Sequence, residues 1–174
     1  MTASTPSGGT VYWVTGLPGA GKTTIATGMV AALGRAGTRA ILLDGDQLRA
    51  VFGGEHGYDY DSRLKLAMSY ARLCRMLAEQ GHVVVCATVS MFEQVRSWNR
   101  AHIADYREIY VRATEQALRQ RRALYRDGTH ADLVVATNPR YELPRCPHLT
   151  VDNDGAARPQ DIANEALAFF RTRT

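Results

Sequence analysis

The sequence predicts an α/β fold: a central five-stranded parallel sheet flanked by helices, with a lid segment. Three observations carry this expectation. Short apolar runs alternate with longer stretches whose apolar residues recur at helical spacing. A glycine-rich turn, Gly16 to Thr23, lies between the first apolar run and the first helical stretch. No repeat and no low-complexity linker interrupts the alternation.

Taken in order, Val11 to Thr15 is a short apolar strand, and Gly21 to about Ala36 reads as helix. Arg39 to Leu43 is a second strand and ends in Asp44-Gly45-Asp46. Ser62 to Gln80 aligns Leu66, Leu73 and Leu77 with Ala67 and Met76 beside them, and Gly81 suits the end of that helix. Val83 to Ala87 is continuously apolar, the pattern of a strand buried on both faces. Met91 to Ile103 is helical, Glu108 to Val111 is a fourth strand, and Glu115 to Arg126 is a helix carrying Arg119, Arg121, Arg122 and Arg126. Ala131 to Pro147 is irregular and holds three prolines. Leu149 to Val151 is a fifth strand, and Pro159 to Arg171 a last helix with proline at its start. Parallel strands need crossovers, and the helices supply them.

At 174 residues, the chain suits one domain, expected over residues 11–174 behind a disordered Ser/Thr/Gly-rich tail at 1–10. No apolar run approaches the ~18 residues of a membrane span. The tail has neither the basic stretch nor the apolar core of a signal peptide. The three cysteines, Cys74, Cys86 and Cys146, show neither disulfide nor zinc spacing, so a cytoplasmic protein is expected. The net charge is +4, with 21 basic residues of which only Lys22 and Lys65 are lysines. That excess suits a small anionic substrate. No run of like charges and no basic-aromatic stripe favours nucleic acid.

The stretch Gly16-Leu17-Pro18-Gly19-Ala20-Gly21-Lys22-Thr23 fits G-x-x-x-x-G-K-[ST], after a strand and opening a helix. Its chance occurrence at this composition is roughly 0.002. Glycines let backbone N–H groups turn inward around phosphate oxygens. The helix N-terminus adds unpaired donors and positive potential. Lys22 reaches the β/γ-phosphates, and Thr23 offers a hydroxyl to Mg²⁺. The fold expectation is therefore that of a P-loop NTPase, with ATP and Mg²⁺ as cofactors and Thr24 in the same cradle.

Many P-loop proteins hold Mg²⁺ with an acid at the end of the third strand. Here Val83 to Ala87 is followed by Thr88-Val89-Ser90, and the acids follow strand two instead: Asp44 and Asp46, with Arg49 one short turn later. If strand two neighbours the P-loop strand, one carboxylate faces the γ-phosphate. Asp46 then orients or deprotonates an acceptor hydroxyl, and Arg49 binds an acceptor anion. The other reading is an Asp capping a helix with Arg49 on the surface.

Residues 11 to 152 resemble the adenylylsulfate (APS) kinase family. The matching stretches are Trp13 to Ala26, Leu43-Asp44-Gly45-Asp46-Gln47-Leu48-Arg49, Gly57-Tyr58 with Arg63, Ala87 to Ser90, Leu124-Tyr125, and Tyr141-Glu142-Leu143-Pro144 with Pro147. The resemblance implies transfer of the γ-phosphoryl of ATP to the 3′-hydroxyl of a nucleotide. It makes Lys22 and Asp46 the catalytic pair. Asp44, Arg49, Arg63, Ser90 and Arg122 become acceptor-side residues, and Tyr58 an aromatic that stacks on the acceptor base. It puts Arg119 and Cys146 at the ATP adenine, and a lid over about 119–144. Many members of the family are dimers, so a homodimer is one expectation.

The chain also departs from the family pattern. The family's Asp-Arg-x-x-Asn-x-x-Arg reads Ser62-Arg63-Leu64-Lys65-Leu66-Ala67-Met68-Ser69, the lid's Asp-Pro-Lys-Gly reads Gln120-Arg121-Arg122-Ala123, and the lid phenylalanine corresponds to Val134. A site that has lost such polar contacts rejects the ligand that needed them. Ser90-Met91-Phe92 with Trp98-Asn99-Arg100 and Val84-Val85-Cys86-Ala87 are closer to a branch of the family that includes cytidine diphosphoramidate kinase. The expected partner is a small anionic nucleotide-like acceptor, APS or a related molecule. Another acceptor (a natural product, an antibiotic, a sugar, a nucleic-acid end) and a non-catalytic ATP-binding module remain the alternatives.

Overall fold

The computed structural model describes residues 8–52, 59–124 and 140–172, the side chains of 122–124 excepted. Five strands form one parallel sheet in the order β2-β3-β1-β4-β5: β1 Thr10–Thr15, β2 Ala40–Asp44, β3 Val83–Thr88, β4 Asp105–Arg112 and β5 Leu149–Asp152. The helices are α1 Lys22–Arg35, α2 Gly45–Val51, α3 Tyr60–Glu79, α4 Glu93–His102, α5 Glu115–Leu124 and α6 Pro159–Arg171. The expected parallel α/β architecture is present, with five strands as anticipated. β1 begins at Thr10, inside the stretch expected as tail; residues 1–7 lie outside those described.

Alternation along the strands explains the layering. On one face Tyr12, Val14, Val85 and Ile109 pack under α1 and α6 with Ile25, Met29, Ile162 and Phe170. On the other, Val11, Trp13, Val84 and Cys86 pack under α3 and α4 with Leu66, Cys74 and Val95. α1 and α6 approach closely: a Cβ on Gly28 would lie 3.0 Å from the Ala163 methyl. A polar layer crosses the second face. The carboxylate of Glu108, 1% exposed, accepts from Arg100 at 2.9 Å and lies 3.6 Å from Arg96. Burial pushes the Glu108 carboxyl up, against the pull of both arginines.

Several elements differ from expectation. β2 was expected beside the P-loop strand if its acids were to reach the phosphates; β3 lies between them. A short helix, α2, follows β2 directly because Asp44 caps it, accepting from the N–H groups of Asp46 at 3.0 Å and Gln47 at 3.4 Å. The helix expected from Met91 starts at Glu93, because Met91 and Phe92 are buried and Phe92 is extended at the cap.

The crossovers decide where the site lies. The chain leaving β1 enters α1 on one face, and the chain leaving β3 enters α4 on the other. The two segments diverge at the carboxyl ends of adjacent strands, which opens a crevice there.

Candidate active site

The crevice is a cavity of about 1100 Å³, walled by the loop after β1, α2, one stripe of α3, the β3–α4 turn and the loop after β5. At its centre is the Gly16–Thr23 loop. Gly19 and Gly21 adopt φ of +81° and +91°, conformations that other residues rarely take. Gly16 is set by close approach instead: a Cβ there would lie 2.4 Å from the Val111 carbonyl oxygen. Lys22 Nζ donates to the Leu17 carbonyl at 3.0 Å, so the ammonium lies over the loop. Pro18, Gly19, Gly21, Lys22, Thr23 and Thr24 line the cavity, while Ala20 is buried behind it.

Asp44 reaches this loop although its strand is not adjacent. Thr23 donates its hydroxyl to Asp44 Oδ2 at 2.7 Å, and the other oxygen of the same carboxylate caps α2. The β2–α2 turn lies tight on the end of β3, where a Cβ on Gly45 would be 3.2 Å from the Ala87 carbonyl oxygen. Asp46 and Arg49, three residues apart on α2, both line the cavity. So the capping and site readings of these acids do not compete: Asp44 caps, and Asp46 is left facing the cavity.

α3 contributes Arg63, Leu66, Ala67 and Tyr70 at helical spacing. The Tyr70 hydroxyl donates to the Gly45 carbonyl at 3.2 Å and holds the β2–α2 turn. Burial pushes the Tyr70 pKa up to about 12, so it remains a donor at neutral pH. The β3–α4 turn is held by Thr15, which donates to the Val89 carbonyl at 2.6 Å, and by a 2.8 Å hydrogen bond between the Thr88 and Ser90 hydroxyls. Ser90 sits at φ +27° and lines the cavity. Phe92 and Tyr141 close this end, their ring centroids 5.4 Å apart, with Tyr60 packed on both. Glu142 fastens the segment: its N–H donates to Met91 O at 2.8 Å, and its carboxylate accepts from Glu93 N at 3.0 Å.

Two residues expected at the adenine do not line the cavity. Arg119 is exposed and pairs with Glu115 at 2.5 Å, and Cys146 is exposed. Arg121, two positions on, faces the P-loop instead. Tyr58 and Val134 lie outside the described residues, as does most of the expected lid, 125–139; Arg122 is in α5 but its side chain lies outside them. Trp98 stacks on His102, centroids 4.5 Å apart, away from the cavity wall. Sequence reasoning missed Tyr70, Tyr141 and the Asn153 to Pro159 loop as wall residues. Only the helical repeat Arg63-Leu66-Ala67-Tyr70 carried a signal that could have found the first.

Among the described residues no three His, Cys, Asp or Glu cluster to hold a metal, and no helix is long and apolar enough to cross a membrane.

The chain is 36% identical over 155 residues to a probable adenylyl-sulfate kinase of Aeropyrum pernix, covering 84% of each. It is 33% identical over 147 residues to a cytidine diphosphoramidate kinase of Campylobacter jejuni, covering 82% of this chain and 85% of the other. In fold it superposes with a TM-score of 0.82 on the Mycobacterium tuberculosis APS kinase solved with AMPPNP and APS, at 24% identity, covering 95% of this chain and 99% of that one. The family model described as Adenylylsulphate kinase matches residues 8–152. That span takes in all five strands and every helix but α6, and on that extent the chain belongs to the adenylylsulphate kinase family, phosphotransferases that act on a hydroxyl group.

Proposed function

We propose that this protein transfers the γ-phosphoryl group of ATP to a hydroxyl, the ribose 3′-hydroxyl in our reading, of an anionic nucleotide: APS or a relative such as cytidine diphosphoramidate. The observation that carries the proposal is a single cavity lined by the phosphate loop together with Asp46, Arg49 and Arg63. In this reading the loop amides and Lys22 bind the triphosphate. Asp46 orients the acceptor hydroxyl and accepts its proton, while Arg49 and Arg63 hold the acceptor's anionic group. Asp44 keeps α2, and so Asp46, in register with Thr23. Arg119, Cys146, Tyr58 and Arg122 are left without a role in this proposal.

A divalent ion fits the oxygen donors present. The Thr23 hydroxyl, backed by Asp44, would touch Mg²⁺ carried by the triphosphate oxygens, as suits an ion that prefers hard ligands and keeps few protein contacts. When bound, Mg²⁺ neutralises charge on the β/γ-phosphates. Such an ATP-dependent step belongs in the cytoplasm.

On the acceptor side, Leu66 and Ala67, each 3% exposed, present an apolar wall between Arg63 and Tyr70. The resemblance puts Leu66 where APS kinases carry asparagine. This supports an acceptor other than APS, and the identities of 36% and 33% to the two kinds of kinase do not separate them. The test is ATP consumption with Mg²⁺ against APS, cytidine diphosphoramidate, CDP and plain nucleosides. Turnover with a cytidine nucleotide is the expected result. Turnover with APS alone assigns the enzyme to sulfate activation, and tight ATP binding with no turnover on any of the four overturns the nucleotide acceptor.

A further inference from the structure

The phosphate loop is gripped by two side chains of the cavity wall that have no role in the transfer just described. Asn153, buried just past β5, donates from Nδ2 to the Ala20 carbonyl at 2.8 Å, and its own N–H donates to the Arg112 carbonyl at 2.8 Å. Arg121, on α5, donates from Nη1 to the Gly19 carbonyl at 3.1 Å and from Nη2 to the Asn153 carbonyl at 2.6 Å. Two successive loop carbonyls are therefore each taken by a side-chain donor.

The consequence follows from peptide planarity. A trans peptide carries its C=O and N–H on opposite sides. With the Ala20 oxygen held by Asn153, the Gly21 N–H is turned the other way, away from the Asn153 amide. The peptide before it is held at both ends, its oxygen by Arg121 and its Ala20 N–H by the Leu17 carbonyl at 3.0 Å. The fit leaves no slack: a Cβ on Gly21 would lie 2.4 Å from Asn153 Nδ2. A guanidinium suits this place because its planar fork serves two carbonyls from separate segments, which an ammonium does less well.

We propose that Asn153 and Arg121 form a clamp that fixes the backbone of Gly19 to Gly21, leaves the Gly21 N–H aimed at a triphosphate, and ties the cradle to α5 and to the end of β5. Both are positioning residues, acting through the backbone of Gly19 to Gly21. The clamp rests on triphosphate binding at the P-loop and is independent of which acceptor is phosphorylated.

Dissociation constants of ATP and of inorganic tripolyphosphate, measured by calorimetry on the full chain, test it with Arg121→Met, Arg121→Lys and Asn153→Ser. Arg121→Met and Asn153→Ser should each weaken both ligands about tenfold and equally, the effect of one hydrogen bond to a partner of this kind. Arg121→Lys should recover part of the loss. In the unliganded protein, the Gly21 amide resonance should shift in Arg121→Met, an effect that a direct phosphate contact would not produce. Unchanged tripolyphosphate binding in Arg121→Met overturns the clamp. So does a loss confined to ATP, which would make Arg121 a nucleoside contact. A loss in Arg121→Met with none in a folded Asn153→Ser, or an unmoved Gly21 resonance, puts Arg121 directly on the phosphates and overturns it as well. Wild-type protein that binds neither ligand would fail the P-loop reading itself, whereas normal binding by wild type and variants alike fails the clamp alone.

Discussion

Thr23, in the first turn of α1, donates its hydroxyl to Asp44 at 2.7 Å across the end of β3, the strand between β1 and β2. One carboxylate thus joins the first turn of the phosphate-loop helix to the cap of α2, and α2 carries Asp46 and Arg49. This bond ties the phosphate-loop helix to the cavity-lining Asp46 and Arg49.

Asp44 should therefore matter for stability as well as turnover. Asp44→Ala removes a helix cap, which typically costs about 1 kcal/mol, and loosens Thr23. A fall in melting temperature of about 2–4 °C is expected for a chain of this size, together with loss of turnover. Asp44→Asn keeps one acceptor for the α2 N–H groups and should lose less stability. Calorimetric melts of the two variants check this; equal stability losses would remove the cap from the explanation.

Asp46 faces the cavity and is exposed there. If it accepts the acceptor's proton, Asp46→Asn should lower kcat by about 10²–10⁴-fold and leave ATP affinity unchanged. Initial rates beside ATP titration separate the two effects. Near-normal turnover would assign the proton to another group.

Arg49 and Arg63 line the same cavity from α2 and α3. Replacing either with Met keeps much of the stem and removes the charge-assisted hydrogen bonds. An increase in acceptor KM of about tenfold or more is expected, since bonds to an ionised partner are the strong ones, with ATP KM unmoved. A variant whose ATP KM rises instead would put that arginine on the nucleotide.

His148 accepts the Glu108 N–H on Nδ1 at 2.8 Å, which requires that nitrogen to be unprotonated. Burial first, and Arg100 second, hold its pKa below the ordinary histidine value of 6.5. The unfolded chain thus takes up a proton that the native state resists. The bond's contribution is complete above the unfolded value and is lost as pH falls through the depressed folded one. Urea midpoints between pH 5 and 8 should fall toward acid more steeply for the wild type than for His148→Asn, whose amide oxygen accepts without titrating. Parallel curves would exclude His148 as the source.

Much of the site was legible because its chemistry is contiguous. The loop from Gly16 to Thr23 encodes its own conformation, with glycines at the two positive-φ positions and at the close approach to β4. The acids after β2 are likewise local, since Asp44 caps the helix that begins beside it. Arg121 was not separable from its neighbours in this way. Arg119 and Arg121 are two residues apart on one helix, where side chains do not share a face, so the rotation of α5 against the sheet decides which meets the loop. Arg119 turns to Glu115 and Arg121 to Gly19.

By itself, the sequence determined the alternation of strand and helix and the phosphate cradle. Backbone sterics and apolar periodicity act over a few residues and need no distant partner. Tertiary structure alone decided the rest. The order β2-β3-β1-β4-β5 brings Asp44 to Thr23 across an intervening strand, and the end of β5 brings Asn153 to Ala20 from 133 residues away. Such contacts are set by how the crossovers lay the strands side by side, which no local window of sequence contains.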